Sequence, residues 1–161
     1  MGSDIERRVG EKLLRLKLTL SLGESCTGGL IGHRLTEVPG SSEYFLGGII
    51  AYSYEAKERL LGVRHDTLYQ HGAVSEETAQ EMARGARRAL GADIGLAVTG
   101  IAGPGGGLPG KPVGLTWIAL STREVNVARQ FTWPGGREAN KVQSSQAALE
   151  MLEEHLDRLS Q

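Results

Sequence analysis

The spacing of apolar residues switches between helical and strand periods along the chain, and this switching most constrains the fold. An early segment carries apolar residues three or four positions apart, on one face of a predicted helix that ends at about Lys17: Ile5, Val9, Leu13 and Leu16. The capping-box spacing of Ser3 and Glu6 marks its start. Apolar residues then alternate from Leu18, which predicts a strand that ends at Gly23.

The rest of the chain continues this order of elements. Helices are predicted over 26–37, 55–61, 75–90 and 138–159, and strands over 45–53, 94–98, 113–121 and 125–133. Alternating strands and helices imply parallel strands with crossover helices, whereas the short turn at 122–124 implies an antiparallel pair. We therefore predict an α/β fold, a three-layer α/β/α sandwich with a mixed, mostly parallel sheet of about five strands.

Length and composition limit the class of protein. The 161 residues fit one domain over 1–161, and the single cysteine, Cys26, allows no intramolecular disulfide. The first residues are charged rather than a signal peptide, so we expect a cytoplasmic protein. A formal net charge of -1, aromatics at 5% and no long apolar run argue against a nucleic-acid partner and against membrane insertion.

Ser25 is the candidate nucleophile, because it follows a predicted strand and precedes a predicted helix. A side chain at that junction projects from the carboxyl edge of the sheet, where helix N–H groups favour a phosphate or an oxyanion. Thr27 and Gly28 are candidate substrate-binding residues in the same turn. Two alternatives stay open at this point: Ser25 merely caps the helix, or Cys26 is the nucleophile rather than a small buried side chain.

Ser25 needs a base, and the histidines do not supply one by their spacing. No catalytic or metal-ligand pattern joins His33, His65, His71 and His155, so no metal site is predicted. A desolvated lysine is the other option, and Lys57 lies where a strand meets a short helix. The alternative for Lys57 is a solvated helix lysine paired with Ser53 or Glu58. Tyr52 either packs or donates its hydroxyl to the site.

The glycine-rich segment 99–112 is the strongest local signal. Residues 105–111 match the phosphate-loop pattern, but Pro112 replaces the hydroxyl residue that holds magnesium, and a strand follows instead of a helix. An ATPase is therefore rejected. The loop is interpreted as an anion nest or a lid, with Gly103, Gly105 and Gly106 as candidate substrate-binding residues, and a plain surface loop is the alternative.

Arg137 stands close to the start of the last predicted helix. A cation there opposes the helix dipole, so an anionic partner such as a phosphate would stabilise it. The alternative is an exposed arginine with no partner.

An ordered set of motifs resembles the C-terminal domain of the competence/damage-inducible protein CinA, a family that includes stand-alone nicotinamide-nucleotide amidases. The matching segments cover nearly the whole chain: 24–29, 35–48, 51–53 with 55–57, 72–75, 99–107 and 111–114. One such match would be weak, but this ordered set is specific. The departures are Tyr54 before the Glu-Ala-Lys motif, Gly110 before Lys111, and Gly136 before Arg137.

The resemblance implies a function as well as a fold. Family members hydrolyse the carboxamide of nicotinamide mononucleotide to nicotinate mononucleotide and ammonia and are usually dimeric. We therefore expect a small-molecule nucleotide substrate and a homodimer or higher homo-oligomer, and the chemistry requires no metal or organic cofactor. The resemblance places serine-lysine chemistry on Ser25 and Lys57, with Tyr52, Thr99 and Arg137 as supporting residues. Gly100 joins them as a candidate for substrate binding. Two rival functions remain: a catalytically silent nucleotide-binding module, and an amidase for other small carboxamides.

Overall fold

The computed structural model describes residues 4–161, which form six α-helices and five β-strands. The helices are α1 (Ile5–Leu16), α2 (Leu30–Thr36), α3 (Tyr54–Leu61), α4 (His65–His71), α5 (Glu76–Leu90) and α6 (Arg137–Leu159). The strands are β1 (Leu20–Glu24), β2 (Phe45–Ile50), β3 (Ile94–Gly100), β4 (Leu115–Ser121) and β5 (Asn126–Thr132). Ser3 of the predicted capping box lies outside the described residues. The helix N-cap is Asp4, whose side chain makes no capping hydrogen bond.

All five strands form one sheet in the order β2-β1-β3-β4-β5. β1 pairs in parallel with both β2 and β3, while β4 is antiparallel to β3 and to β5. Four strands therefore point the same way and β4 alone is reversed. This confirms the predicted mixed, mostly parallel sheet.

Helices cover both faces of the sheet, as predicted for a three-layer sandwich. On one face the apolar sides of α1, α2 and α6 pack on β1, β3 and β4 in a core that includes Leu13, Leu22 and Leu152. On the other face α3, α4 and α5 enclose a second core that contains Leu61, Met82 and several alanines. No helix within residues 4–161 is long and apolar enough to cross a membrane.

The structure corrects the predicted start of the second helix. α2 begins at Leu30 rather than at 26, and its N-cap is Gly29, so Ser25 does not cap it. The physical reason is the turn before it, where Gly28 and Gly29 have φ angles of +60° and +103°, outside the right-handed helical region. The sequence analysis also missed α4, a short polar helix that buries Thr67 and Leu68.

The sheet brings Ser25 to the carboxyl edge of the central strand. β1 and β2 are in register at Glu24 and Ile50, and the next amide, that of Ala51, donates to the carbonyl of Glu24 at 2.9 Å. On the other side, the amide of Ser25 donates to the carbonyl of Val98 at 3.0 Å. Ser25 is thus held between the ends of two neighbouring strands, where a topological switch point favours ligand binding.

Close packing of α3 on α5 depends on Gly85, and it predicts a loss of stability in Gly85→Ala. A Cβ at Gly85 would overlap the backbone carbonyl of Leu61 at the end of α3. Because that contact is backbone, α3 must move, and we expect a loss of about 2 to 3 kcal/mol in the free energy of unfolding. Urea denaturation measures it. Gly105→Ala is the control, since a Cβ there meets open space. Equal stability of the two variants would contradict this account.

Candidate active site

Lys57 and Ser25 form a hydrogen-bonded pair at the end of β1. Ser53 caps α3 by accepting from the amide of Ala56 at 3.0 Å, which starts the helix directly after the β2 strand end. Lys57 lies in the first turn and extends back beneath that end, where its Nζ donates to Ser25 Oγ at 3.0 Å. The structure thus brings together the predicted nucleophile and the predicted base. The alternative of a solvated Lys57 paired with Ser53 or Glu58 is wrong.

The Lys57 amine lies in a site that disfavours its charge. The residue is 1% exposed, and burial lowers the pKa of its ammonium from 10.5 to about 8. Besides Ser25, its partners are two neutral backbone carbonyls, those of Ala51 at 3.0 Å and Tyr52 at 2.9 Å. A lysine with this pKa is partly neutral near pH 8 and can accept a proton.

The two carbonyls also orient the amine. A neutral lysine has two N–H bonds and one lone pair, whereas the ammonium has three N–H bonds. If the carbonyls of Ala51 and Tyr52 take the two N–H bonds, the lone pair of a tetrahedral nitrogen faces the third partner, Ser25 Oγ. The same site therefore fits Lys57 as a base before proton transfer and as an acid after it.

Glu24 fixes the turn that carries Ser25, and the sequence analysis did not single it out. Its carboxylate is 2% exposed and accepts four hydrogen bonds. The donors are the Thr27 hydroxyl at 2.6 Å and the amides of Gly29, Ile31 and Gly32 at 3.1, 3.1 and 2.9 Å. All three amides belong to the first turn of α2 or to its N-cap, so Glu24 substitutes for a capping side chain. The available signal was a charged residue at the end of a buried strand.

Cys26 is a poor nucleophile in this setting. Its thiol is buried, and burial raises its pKa to about 12. The thiolate, which is the reactive form, is therefore scarce at neutral pH. This favours the interpretation of Cys26 as a small buried side chain.

Arg137 joins three parts of the candidate site. Its guanidinium donates to the carbonyl of Gly103 at 2.8 Å and to the hydroxyl of Tyr52 at 3.1 Å. α6 begins at this residue, so the helix start, the glycine loop and the β2 end meet above Ser25. Tyr52 is 63% exposed, which fits a hydroxyl-bearing rim rather than a packed core residue.

These groups line a small pocket of about 150 Å³ above Ser25. Six of the predicted site residues line it: Ser25, Tyr52, Lys57, Thr99, Gly100 and Arg137. Thr99 donates its hydroxyl to the carbonyl of Ala73 at 2.8 Å, which ties the segment before α5 to the pocket wall. A Cβ on Gly100 would lie 2.7 Å from Thr116 Oγ1, so this position needs glycine.

The remaining predicted site residues lie elsewhere. Thr27 and Gly28 line a larger groove of about 600 Å³ that shares Arg137 with the pocket. Gly103, Gly105 and Gly106 belong to the glycine loop and line neither space; Gly105 and Gly106 are exposed, whereas Gly103 is buried and accepts from Arg137. Asn140, which the sequence analysis missed, is buried and donates to the carbonyls of Ala102 and Gly135, fixing the loop base on α6.

The structure supports the rejection of a phosphate loop. The lysine of that pattern, Lys111, donates to the backbone carbonyl of His71 and holds the loop against the end of α4. A strand, β4, follows instead of a helix. Among residues 4–161 no group of three or more histidine, cysteine or acidic side chains could hold a metal ion.

Fold and site together define an α/β protein with a buried serine-lysine pair at a strand end. The family model of the CinA C-terminal domain matches residues 2–156, and the chain belongs to that family.

Relatives and solved structures agree with this assignment. The chain is 46% identical over 153 residues to a putative competence-damage inducible protein of Desulforudis audaxviator, covering 95% of this chain and 37% of that protein. It is 52% identical over 151 residues to a CinA-like protein of Chlorobaculum tepidum, covering 90% and 36%. The chain thus spans just over a third of the length of these curated relatives.

Two crystal structures share the fold. The competence/damage inducible protein CihA from Agrobacterium tumefaciens superposes with a TM-score of 0.92 at 42% identity, covering 98% of each chain. A CinA superfamily protein from Klebsiella pneumoniae gives 0.93 at 35% identity, covering 96% of this chain and 97% of that one.

Removal of the Glu24 carboxylate should release the Ser25 turn. Glu24→Ala leaves several buried N–H groups without an acceptor, so we expect a loss of about 3 kcal/mol in the free energy of unfolding. Hydrogen exchange should quicken at the amides of Gly29, Ile31 and Gly32 in a variant that is otherwise folded. Glu37→Gln, an exposed change at the other end of α2, is the control. Unchanged exchange at these amides would contradict the role of Glu24.

Burial of Lys57 also predicts a dependence of stability on pH. The folded-state pKa of about 8 is below the ordinary 10.5, so the unfolded chain binds more protons between these values and stability rises with pH. The free energy of unfolding of the wild type, taken relative to that of Lys57→Met, should rise by roughly 2 to 3 kcal/mol between about pH 7 and pH 10. Urea denaturation across that range measures the difference. Lys17→Met, which removes an exposed lysine, is the control; a wild-type curve parallel to that of Lys57→Met would contradict the buried amine.

Proposed function

We propose that this protein is an amidohydrolase that deamidates nicotinamide mononucleotide through a serine-lysine mechanism. The observation that carries the proposal is the 3.0 Å hydrogen bond between Lys57 Nζ and Ser25 Oγ, inside a site that lowers the pKa of the amine to about 8. A silent binding module would not need a lysine buried at such cost against a serine hydroxyl. Membership in the CinA C-terminal domain family supports the choice of substrate.

The first half of the reaction forms an acyl-enzyme. The lone pair of neutral Lys57 takes the Ser25 hydroxyl proton as Oγ attacks the carboxamide carbon. The protonated lysine then gives that proton to the amide nitrogen, the carbon–nitrogen bond breaks, and ammonia leaves. In the second half Lys57 takes a proton from water, whose oxygen attacks the ester carbon. The bond from that carbon to Ser25 Oγ then breaks, Lys57 returns the proton to Oγ, and the acid product departs and loses its remaining proton to solvent.

The turn after Ser25 offers donors for the oxyanion. In the described part of the chain, the N–H groups of Cys26 and Thr27 have no oxygen acceptor, whereas that of Gly28 donates to the carbonyl of Ser25. We therefore assign the oxyanion to the N–H groups of Cys26 and Thr27 rather than to the Thr99-Gly100 strand. Each such donor typically contributes about 3 kcal/mol to the transition state.

The pocket size limits what can enter it. At about 150 Å³ it is well below the roughly 300–1,000 Å³ of pockets for drug-sized ligands, so it fits a small planar carboxamide and not a whole nucleotide. Tyr52 and Arg137 at the rim would contact the part of the substrate that stays outside. No step requires a metal or an organic cofactor.

Ammonia release from nicotinamide mononucleotide tests the proposal. Ser25→Ala and Lys57→Ala should each lower kcat by at least about 10³-fold, because both belong to one proton-transfer unit. Cys26→Ser is the matched control, since it changes the neighbouring candidate nucleophile and should leave turnover within about tenfold. For the wild type, kcat/KM should rise with pH through about 8 as Lys57 loses its proton.

The outcomes separate the rival functions. Turnover by the wild type that survives in Ser25→Ala would exclude the serine mechanism. Ammonia release that is equal for free nicotinamide would favour a general amidase. A wild type that binds the nucleotide but is inert at high enzyme concentration would favour the silent module.

A further inference from the structure

The groove beside the pocket has no role in the chemistry described so far. It runs between the turn at Gly28 and Gly29 on one side and the first turns of α6 on the other. Its volume of about 600 Å³ is four times that of the Ser25 pocket, and Arg137 lines both. A substrate whose amide fills the small pocket would therefore extend past Arg137 into this groove.

Two cations from successive turns of α6 face this groove. Arg137 and Lys141 are four residues apart, so they lie on the same face of the helix. Across the groove, Lys141 Nζ lies 3.8 Å from the point that a Cβ on Gly28 would occupy. Because residue 28 has no side chain, the ammonium approaches the backbone of the catalytic turn directly.

The balance of charge in the groove is positive. Glu138 is the acidic residue that lines it, and His33, which also lines it, is 4.0 Å from the carboxylate of Glu37. Within the described residues Lys141 has neither an ion-pair nor a hydrogen-bond partner. Its charge also acts on the thiol of Cys26, where it opposes the rise in pKa that burial causes. An anion in the groove would pair with Lys141 without displacing another group.

We infer that this groove binds the phosphate monoester of the substrate, and that Lys141 is the residue that selects phosphorylated over unphosphorylated amides. The inference rests on the proposed function for its substrate, but it assigns a different residue and a different step. Arg137 already donates to Gly103 and Tyr52, so its main role is to connect the pocket with the groove. Lys141 supplies the charge that is free for the ligand.

A comparison of nicotinamide mononucleotide with nicotinamide riboside, which lacks the phosphate, tests the role of Lys141. Lys141→Ala should raise KM for the nucleotide by about tenfold and leave its kcat nearly unchanged, because a charge-assisted hydrogen bond to the ground state is lost. Both constants for the riboside should be unchanged. Lys141→Arg should recover most of the affinity. Arg123→Ala is the control, since it removes one exposed positive charge at the β4–β5 turn, on the opposite edge of the sheet.

A binding measurement keeps this inference separate from the proposed function. Calorimetry with ribose 5-phosphate should show binding to the wild type and about tenfold weaker binding to Lys141→Ala, whether or not the protein turns over any amide. If the wild type deamidates the nucleotide but Lys141→Ala changes neither its KM nor the affinity for ribose 5-phosphate, the groove inference fails and the amidase stands. An equal loss for nucleotide and riboside would also overturn it, because it would show a structural effect. An inert wild type with Lys141-dependent binding would reject the amidase and retain the groove.

Discussion

The burial of one amine against the end of a strand sets the conditions for the rest of this structure. Lys57 is desolvated far enough that its pKa falls to about 8, and removal of an ammonium from water carries a free-energy cost. That cost must be offset by packing elsewhere. The side chain reaches Ser25 because only residues 51–53 separate α3 from the end of β2, and α3 keeps its place because Gly85 admits the Leu61 carbonyl onto α5. A glycine on the neighbouring helix α5 therefore supports the geometry of the serine-lysine pair.

Ser25 lies between two buried ionisable groups whose surroundings have opposite character. Lys57 meets only oxygen atoms, so it has acceptors for every proton it carries. Glu24 accepts from one hydroxyl and three amides of the turn that follows it, three of these bonds ending on Oε1 and one on Oε2. The carboxylate is therefore held by the turn itself, whereas the amine keeps one position, towards Ser25 Oγ, for proton exchange. This division explains why the lysine is the candidate base and the nearer glutamate a positioning residue.

The fold could be predicted from the sequence because its signals are local. Changes in the spacing of apolar residues separated the strands from the helices. Ser75 caps the start of α5, where it accepts from the amide of Thr78, and Gly91 follows the end of that helix, both as predicted. The start of α2 could not be predicted in this way. The residues from 26 onward have a helical pattern, but glycines with positive φ and the Glu24 carboxylate stabilise a turn instead. α4 was missed because seven largely polar residues carry too few apolar positions for a periodic signal.

The candidate site was predictable in its residue types but not in its distances. Ser25 and Lys57 are adjacent only because β1 and β2 are in register at Glu24 and Ile50, and a slip of one residue would turn each side chain to the other face. Register depends on pairing between distant segments, so spacing alone cannot give it. The same holds for Asn140, whose contacts with Ala102 and Gly135 exist only once α6 has docked beside the glycine loop.

Pocket and groove differ in a way that suits a two-part substrate. The pocket over Ser25 is small, and the residues at its base, Ser25, Lys57 and Thr99, are buried, so the Lys57 amine is poorly solvated there and its pKa stays lowered. A phosphate dianion in the same space would stabilise the ammonium form of Lys57 and oppose its function as a base. Placing the anion in an open groove beyond Arg137 keeps the negative charge in a more strongly screened region. The separation of the two spaces would therefore let the proposed enzyme bind a charged substrate without losing the neutral amine on which the proposed chemistry depends.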